Sequence, residues 1–315
     1  MHDARRQRQT ELVLGTAQLG MAYGVTNKTG KLGQADAVDL LALARKQGIQ
    51  SVDTARAYGT SEDVIGCYQS AVELDERFQV LTKLDPGISK KTTAIEVAKA
   101  TQLSLDQSRK ALGAKRLSCV MLHRPDQILG KTNIVRDVLQ EQQREGRIGK
   151  IGVSVSEPSE LLAVLRLPEI QHVQFPFNFL DHRFENPSIT ALIHERKDVT
   201  VHVRSVFLQG LLVARRENVR YERLGTEGIV LREFLETLEG LFEKISAVEI
   251  ALNYVRCMDW IDGIVVGTAS RSELMQIAAA HAAPVNEQMV LTIRAHRPKL
   301  SAHVLNPANW PRDWT

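Results

Sequence analysis

Four ionisable side chains stand where apolar runs of this sequence end or turn. SVD closes at Asp53, VLTK at Lys83 and VMLH at His123, and Tyr58 lies in the stretch just after Asp53. Carboxylate, ammonium, phenol and imidazole together suit one kind of step. A phenol, with an ordinary pKa of about 10, is a sluggish proton donor at neutral pH, and a nearby ammonium favours its phenolate and brings it toward the working range. Lys83 can supply that charge to Tyr58. A desolvated lysine would itself shed its proton unless a carboxylate held it charged, which is a role for Asp53. His123 can then donate a hydrogen bond that orients the substrate oxygen. Such a set delivers a proton to a carbonyl oxygen as charge builds there, and the hydride must come from a cofactor. Taken singly, each residue has an unexceptional explanation: Asp53 as a helix N-cap, Lys83 as a solvated strand end, His123 as a core histidine, Tyr58 as rim packing. Their joint occurrence at successive strand ends favours the chemistry.

The elements that must position these groups alternate along the chain. Strand-like runs fall at Leu12–Gly15, Gln50–Asp53, Gln79–Lys83, Ser118–His123, Lys150–Ser154, His172–Phe175, Thr200–Ser205 and Gly263–Gly267. Helical periodicity predicts helices at Ala35–Lys46, Ser61–Ala71, Lys91–Leu112, Asn133–Glu145, Pro158–Leu165, Ser188–Glu195, Ile229–Glu243, Ser246–Cys257 and Ser270–Ala280. Alternation of this kind is the signature of parallel βαβ units. The interval before the last strand is the longest, and Phe207–Gly228 reads as a long loop inserted there. With no Pro/Gly/Ser-rich linker, the expectation is an α/β chain forming a single (β/α)8 TIM barrel domain over residues 1–315, with a C-terminal tail from Pro284. A doubly wound sheet is the runner-up, although no G-x-G-x-x-G supports a dinucleotide-binding Rossmann unit. In a barrel the site lies at the C-terminal ends of the strands, and neighbouring strands are about 4.8 Å apart, so Asp53, Lys83 and His123 can converge.

Composition narrows the alternatives. Forty basic and thirty-seven acidic residues leave a net charge of +3, with 24% charged and 43% hydrophobic residues. That is an ordinary soluble globule, which disfavours disorder and nucleic-acid binding by bulk charge. No apolar run approaches the roughly 20 residues of a membrane span. The opening MHDARRQRQT has no apolar core, so no secretory signal is read there and a cytoplasmic location is expected. The sequon Asn27-Lys28-Thr29 then carries no meaning. Cys67, Cys119 and Cys257 lie far apart and are expected to be buried thiols. Neither His-x-His at the first strand nor HExxH occurs, so no metal site is expected. Gly130-Lys131-Thr132 lacks the first glycine of a phosphate loop, because position 125 is Pro. The cluster Arg215, Arg216, Arg220 and Arg223 reads as a solvated face.

Seven runs in order, GTAQLG (15–20), DTARAYGTSEDVIG (53–66), LTKLD (81–85), MLHRPD (121–126), KIGVSVSE (150–157), VQFPFNFLD (173–181) and VVGTAS (265–270), resemble the aldo-keto reductase superfamily. The resemblance spans nearly the whole chain, and Asp-x-Ala-x-x-Tyr-Gly followed by Thr-Lys and His-Arg-Pro-Asp is a specific combination. It implies a (β/α)8 barrel that reduces small carbonyl substrates, aldehydes or ketones and sugar-derived ones among them, with NADPH. Asp53, Tyr58, Lys83 and His123 would form the catalytic tetrad, with Tyr58 as proton donor. It also implies that Gly15, Thr16 and Asp53 surround the nicotinamide ribose, and that Ser154 and Gln174 hold the carboxamide. The usual asparagine after that serine is Val155 here, and Arg204 takes the place of an aromatic ring stacked on the nicotinamide. Gly267, Thr268, Ser270 and Arg271 would meet the adenosine 2'-phosphate at a helix N-terminus. The family's arginine is replaced by Glu273 and a common glutamate by Gln276, so the expectation is NADPH with a narrowed margin over NADH. A second function of a different class is a slow-turnover, NADPH-binding regulatory subunit, against which the chain shows no acidic or apolar docking segment. Trp310 and Trp314 in the tail read equally as tail packing or as a lid over substrate.

Overall fold

The computed structural model describes residues 10–24, 30–130 and 132–310. Within them run β1 (Glu11–Gly15), β2 (Ser51–Asp53), β3 (Gln79–Lys83), β4 (Leu117–Leu122), β5 (Ile148–Ser154), β6 (His172–Pro176), β7 (Thr200–Arg204) and β8 (Gly263–Gly267). All pair in parallel with their sequence neighbours, and β8 closes on β1, Glu11 to Gly15 lying opposite Gly263 to Gly267. A doubly wound sheet would leave those two strands as edges, so the closed (β/α)8 barrel replaces the runner-up. The sequon at 27–29, Lys131 of the Gly130-Lys131-Thr132 run and Trp314 fall outside the described residues.

Strands buried on both faces read as continuous apolar runs. Alternation divides them between two cores. Val13, Leu81, Cys119, Met121 and Val265 pack together as one cluster. Leu12, Leu14, Val52, Val80, Val120, Val153, Val173 and Val203 join the larger core shared with the helices. A period of two carries the first phase from Leu81 to Lys83, from Met121 to His123, from His172 to Gln174 and from His202 to Arg204, which is why polar groups collect at one end of the barrel interior. Toward the other end the rings of His172 and His202 meet edge to face, 4.4 Å between centroids. Gly263 makes room for them, since a Cβ there would sit 2.6 Å from the His202 ring. Burial, then the neighbouring His202, pushes His172 well below the ordinary histidine range. Burial pushes His202 down to about 4.

Local chemistry explains where the observed elements depart from the expected ones. The helix expected from Lys91 begins at Ala94, because Thr93 and Glu96 form a reciprocal capping box. The long loop ends at Leu224 rather than Gly228: short turns at Leu208–Gly210, Arg216–Asn218 and Tyr221–Leu224 lead directly into the helix Gly225–Leu241. Its arginines are not uniformly solvated, since Arg216 pairs with Glu239 at 2.7 Å and donates to the Tyr221 hydroxyl at 2.8 Å. The tail holds two helices that periodicity did not bring out, Glu287–His296 and Ala302–Leu305. Asn286 caps the first, accepting from Met289 N at 3.1 Å. Trp310 is tail packing, buried with its indole N–H donating to Val304 O at 2.9 Å. Of the cysteines only Cys119 is fully buried, its thiol pushed up to about 12 by burial, whereas Cys67 is exposed and Cys257 half-buried. Among the described residues no helix is long and apolar enough to cross a membrane, and no His/Cys/Asp/Glu cluster could hold a metal ion.

Candidate active site

Three of the four ionisable groups sit at or just past the C-terminal ends of β2, β3 and β4, and the fourth, Tyr58, hangs over them from the β2 loop. The loop is held from several sides. Thr54 N and Arg56 N donate to Leu81 O at 2.8 Å and Lys83 O at 3.1 Å, extending the pairing of β2 with β3. Ser61 Oγ donates to Thr16 Oγ1 at 2.7 Å, and Thr16 Oγ1 donates in turn to Asp53 O at 2.8 Å. Glycines let the β1 loop press against this stretch: Gly59 has φ +57, and a Cβ on Gly20 would lie 1.8 Å from Tyr58 O.

Lys83 and Asp53 are 2% and 4% exposed, and the Lys83 ammonium reaches both carboxylate oxygens, at 2.6 and 2.7 Å, and Thr54 O at 3.1 Å. Burial alone would pull the Lys83 pKa down. The Asp53 carboxylate, with Tyr58, outweighs it and leaves the ammonium more firmly protonated than an ordinary lysine. Its nitrogen lies 5.1 Å from the centre of the Tyr58 ring. Tyr58 is half-buried, and its hydroxyl takes no hydrogen bond from any described residue. His123 meets the Tyr58 ring edge-on at 6.2 Å between centroids. Burial, then the Lys83 charge, lowers its pKa to about 4, so the imidazole is neutral at pH 7. Its Nδ1 is buried without a partner among the described residues, which leaves Nε2 as the nitrogen that can face a substrate.

The expected cofactor residues divide into those whose polar atoms are free and those already engaged. Gln174 donates to Asp53 Oδ2 at 2.8 Å, while its Oε1 is buried and unpartnered among the described residues. A buried orphan acceptor costs roughly 1–3 kcal/mol, and an amide N–H₂ such as that of nicotinamide is the donor it lacks. Ser154, at the end of β5, lies beside Gln174 in register. Thr16 is fully buried with its hydroxyl used by Asp53 and Ser61, so its side chain holds the loop. Gly15 and Gly267 are register partners, and the Gln18 amide covers Gly267 closely enough that a Cβ would meet it at 2.7 Å. Arg204 reaches back toward β5, donating to Val155 O at 3.2 Å and Ser156 Oγ at 3.1 Å. Beyond β8, Ser270 caps the helix Arg271–Ala282, accepting from Glu273 N at 3.1 Å. The Glu273 carboxylate turns back to the same end, accepting from Thr268 Oγ1 at 2.8 Å and Ala269 N at 3.1 Å. Arg271 is exposed and makes no ion pair with a described residue.

Other residues that shape the site were not singled out from the sequence. Gln127 Oε1 accepts from the backbone N–H of His123 at 2.8 Å and of Arg124 at 3.2 Å, and its amide donates to Asp85 O at 2.9 Å. Asn178 donates to Ser205 O at 3.1 Å, steadying a residue at φ 60 just past Arg204. Each side chain bonds the backbone of another loop, Gln127 that of Asp85 and Asn178 that of Ser205, which no spacing rule exposes.

Known proteins bear on this arrangement. The chain superposes on the holo form of aldo-keto reductase AKR11C1 from Bacillus halodurans with a TM-score of 0.71, 21% identity, and coverage of 92% of this chain and 93% of that one. A thermostable aldo-keto reductase, Tm1743, solved with the inhibitor epalrestat, gives a TM-score of 0.69, 19% identity, and coverage of 90% and 94%. At such identities the likeness is one of fold. No curated protein sequence matches significantly. The family model for the aldo/keto reductase family matches residues 11–298, nearly the entire chain. The chain therefore belongs to the aldo/keto reductase family, whose members are oxidoreductases acting on carbonyls with NAD(P)H.

Proposed function

We propose that the protein reduces aldehydes or ketones, sugar-derived ones included, to alcohols, with Tyr58 as the proton donor. The observation that carries this reading is the Lys83 ammonium, gripped by both Asp53 oxygens and lying 5.1 Å from the centre of a phenol ring whose hydroxyl has no described partner. The ammonium favours the phenolate that remains once the proton has gone to the substrate oxygen. Asp53 keeps Lys83 charged, and the neutral His123 donates a hydrogen bond that orients the carbonyl. NAD(P)H supplies the hydride when bound.

The chain's own residues support a cofactor along β5 to β8. Ser154 and the orphaned Gln174 Oε1 suit the carboxamide, Arg204 offers a planar cation beside the ring, and Gly15 and Gly267 keep the strand ends low. At the adenosine end, Thr268, Ser270, Arg271 and the helix N-terminus would favour the NADPH 2'-phosphate, while Glu273 opposes it. The preference is therefore for NADPH, with NADH accepted at a modest penalty.

Steady-state NADPH oxidation with a panel of aldehydes tests the reading. Tyr58→Phe should keep cofactor affinity and lose about 10²- to 10⁴-fold in kcat. Wild-type turnover in that variant removes Tyr58 from the chemistry. Cofactor binding without turnover of any carbonyl in the wild type would favour a regulatory role.

A further inference from the structure

The second residue of the helix Ser61–Ser70 is a glutamate that the proton-transfer scheme does not use. Glu62 is 1% exposed. A buried carboxylate must be paired, and each of its oxygens has a partner. Oε1 accepts from Thr82 Oγ1 at 2.6 Å, and Oε2 forms an ion pair with Arg56 Nη1. Neither partner stands at an indifferent place. Thr82 precedes Lys83 on β3 and, by the alternation of the strand, faces the helices where Lys83 faces the barrel interior. Arg56 lies two residues before Tyr58, and its own N–H donates to Lys83 O at 3.1 Å. One carboxylate thus grips the strand beside the ammonium and the loop beside the phenol. Attraction in a buried pair is largely offset by desolvation, so the net consequence of such a clamp is geometric more than energetic.

We propose that Glu62 is a positioning residue whose carboxylate, through Thr82 and Arg56, sets the separation of the Lys83 ammonium from the Tyr58 phenol. The proposal rests on the reading of Tyr58 as proton donor. It requires that weakening either arm of the clamp slow the chemical step while leaving the affinities for carbonyl and cofactor nearly intact, because the Thr82 and Arg56 side chains bond Glu62 and neither His123 nor Ser154, Gln174, Thr268 and Ser270, which are expected to hold them.

The test uses Thr82→Val, which is nearly isosteric and lacks the hydroxyl, Thr82→Ser, which restores it, and Glu62→Gln, with Tyr58→Phe in parallel. Each variant is checked for cooperative thermal unfolding, then measured for kcat, carbonyl KM and NADPH Kd by fluorescence titration. Thr82→Val and Glu62→Gln are expected to lose about 10- to 100-fold in kcat, with KM and Kd within about twofold of wild type and Thr82→Ser close to wild type. Folded Thr82→Val and Glu62→Gln proteins with wild-type kcat, beside an inactive Tyr58→Phe, would overturn the clamp and leave the donor assignment standing. An equal kcat loss in Thr82→Ser would also overturn it. An active Tyr58→Phe would overturn the donor assignment and the clamp with it.

Discussion

Replacing Asp53 by Asn should destabilise the protein in a way that grows as pH falls. Lys83 is 2% exposed, and both its close charged contacts, at 2.6 and 2.7 Å, go to the one carboxylate. With Asp53 present the Lys83 pKa is raised, so the contribution of the Lys83 charge is complete below the ordinary lysine value of about 10.4 and is lost as pH rises through the higher folded value. Lys83 therefore adds no pH dependence to the stability of the wild type between about pH 6 and 9. In the Asn variant burial remains and the largest opposing influence is gone, so the folded-state Lys83 pKa falls below that of the unfolded chain. Stability then declines as pH drops from about 10 toward the new value, by about 1.4 kcal/mol per pH unit. It levels off once folded-state Lys83 is also charged. Stranding one member of a buried pair typically costs about 3–5 kcal/mol, which sets the plateau. Urea unfolding at a series of pH values, followed by fluorescence of the buried Trp260 and Trp310, measures the difference directly. A difference below about 1 kcal/mol, the magnitude of exposed ion pairs, and the same at every pH would show that water reaches the pair and that the argument is wrong.

Lys83→Met removes the charge 5.1 Å from the Tyr58 ring and should lower kcat about 10²- to 10⁴-fold with an altered pH profile; an unchanged profile in a residually active enzyme would count against tuning of the phenol. His202 has its folded pKa depressed to about 4, so its neutral form stabilises fully above the ordinary value near 6.5 and that stability drains away as pH falls through the interval, to about 3 kcal/mol in all. Comparing wild type with His202→Leu in acid unfolding isolates this limb, and parallel curves would refute it. Glu273→Gln should tighten NADPH binding about tenfold, through loss of one anion at the helix end, while leaving NADH nearly unchanged. Arg271→Ala should weaken NADPH about ten- to a hundredfold. Dissociation constants for both cofactors check the two variants, and equal changes for NADH would mean that neither residue reads the 2'-phosphate.

Much of the architecture was legible because it rests on local, periodic signals. β3 and β8 carry the same bounds in sequence and structure, since each has a short apolar centre, Val80–Leu81 and Ile264–Val266, bounded by residues that end the run: Gln79 and Lys83 in β3, Gly263 and Gly267 in β8. Boundaries that differ do so by recognisable local chemistry, as at Thr93, where the Thr-x-x-Glu spacing was present in the sequence and marks the true helix start. The tail helix after Asn286 was harder. Its buried face is only Met289, Val290 and Ile293, and its start is tied to Asn253 by paired amide bonds of 2.7 and 2.9 Å that no local window contains.

By itself, the sequence determined which residue types stand at the strand ends, and period-two alternation turned Lys83, His123, Gln174 and Arg204 toward one interior. It also carried the conflict at the last helix, an arginine and a glutamate two positions apart, without saying which faces the site. Tertiary structure turned the Glu273 carboxylate back to the helix N-terminus, where it meets the Thr268 hydroxyl and the Ala269 amide, and left Arg271 exposed at the same end. It decided too that the Thr16 hydroxyl supports the Asp53 backbone, that Gln174 keeps one acceptor unsatisfied, and that Glu62 joins the strand of Lys83 to the loop of Tyr58. Periodicity assigns a side chain to a face, whereas a hydrogen bond needs a partner within about 3 Å in a set direction. Thr268 and Arg56 lie within a few residues of the carboxylates they meet, but Thr16 and Asp53, Thr82 and Glu62, and Gln174 and Asp53 come from separate stretches of chain, and only the assembled barrel brings them together.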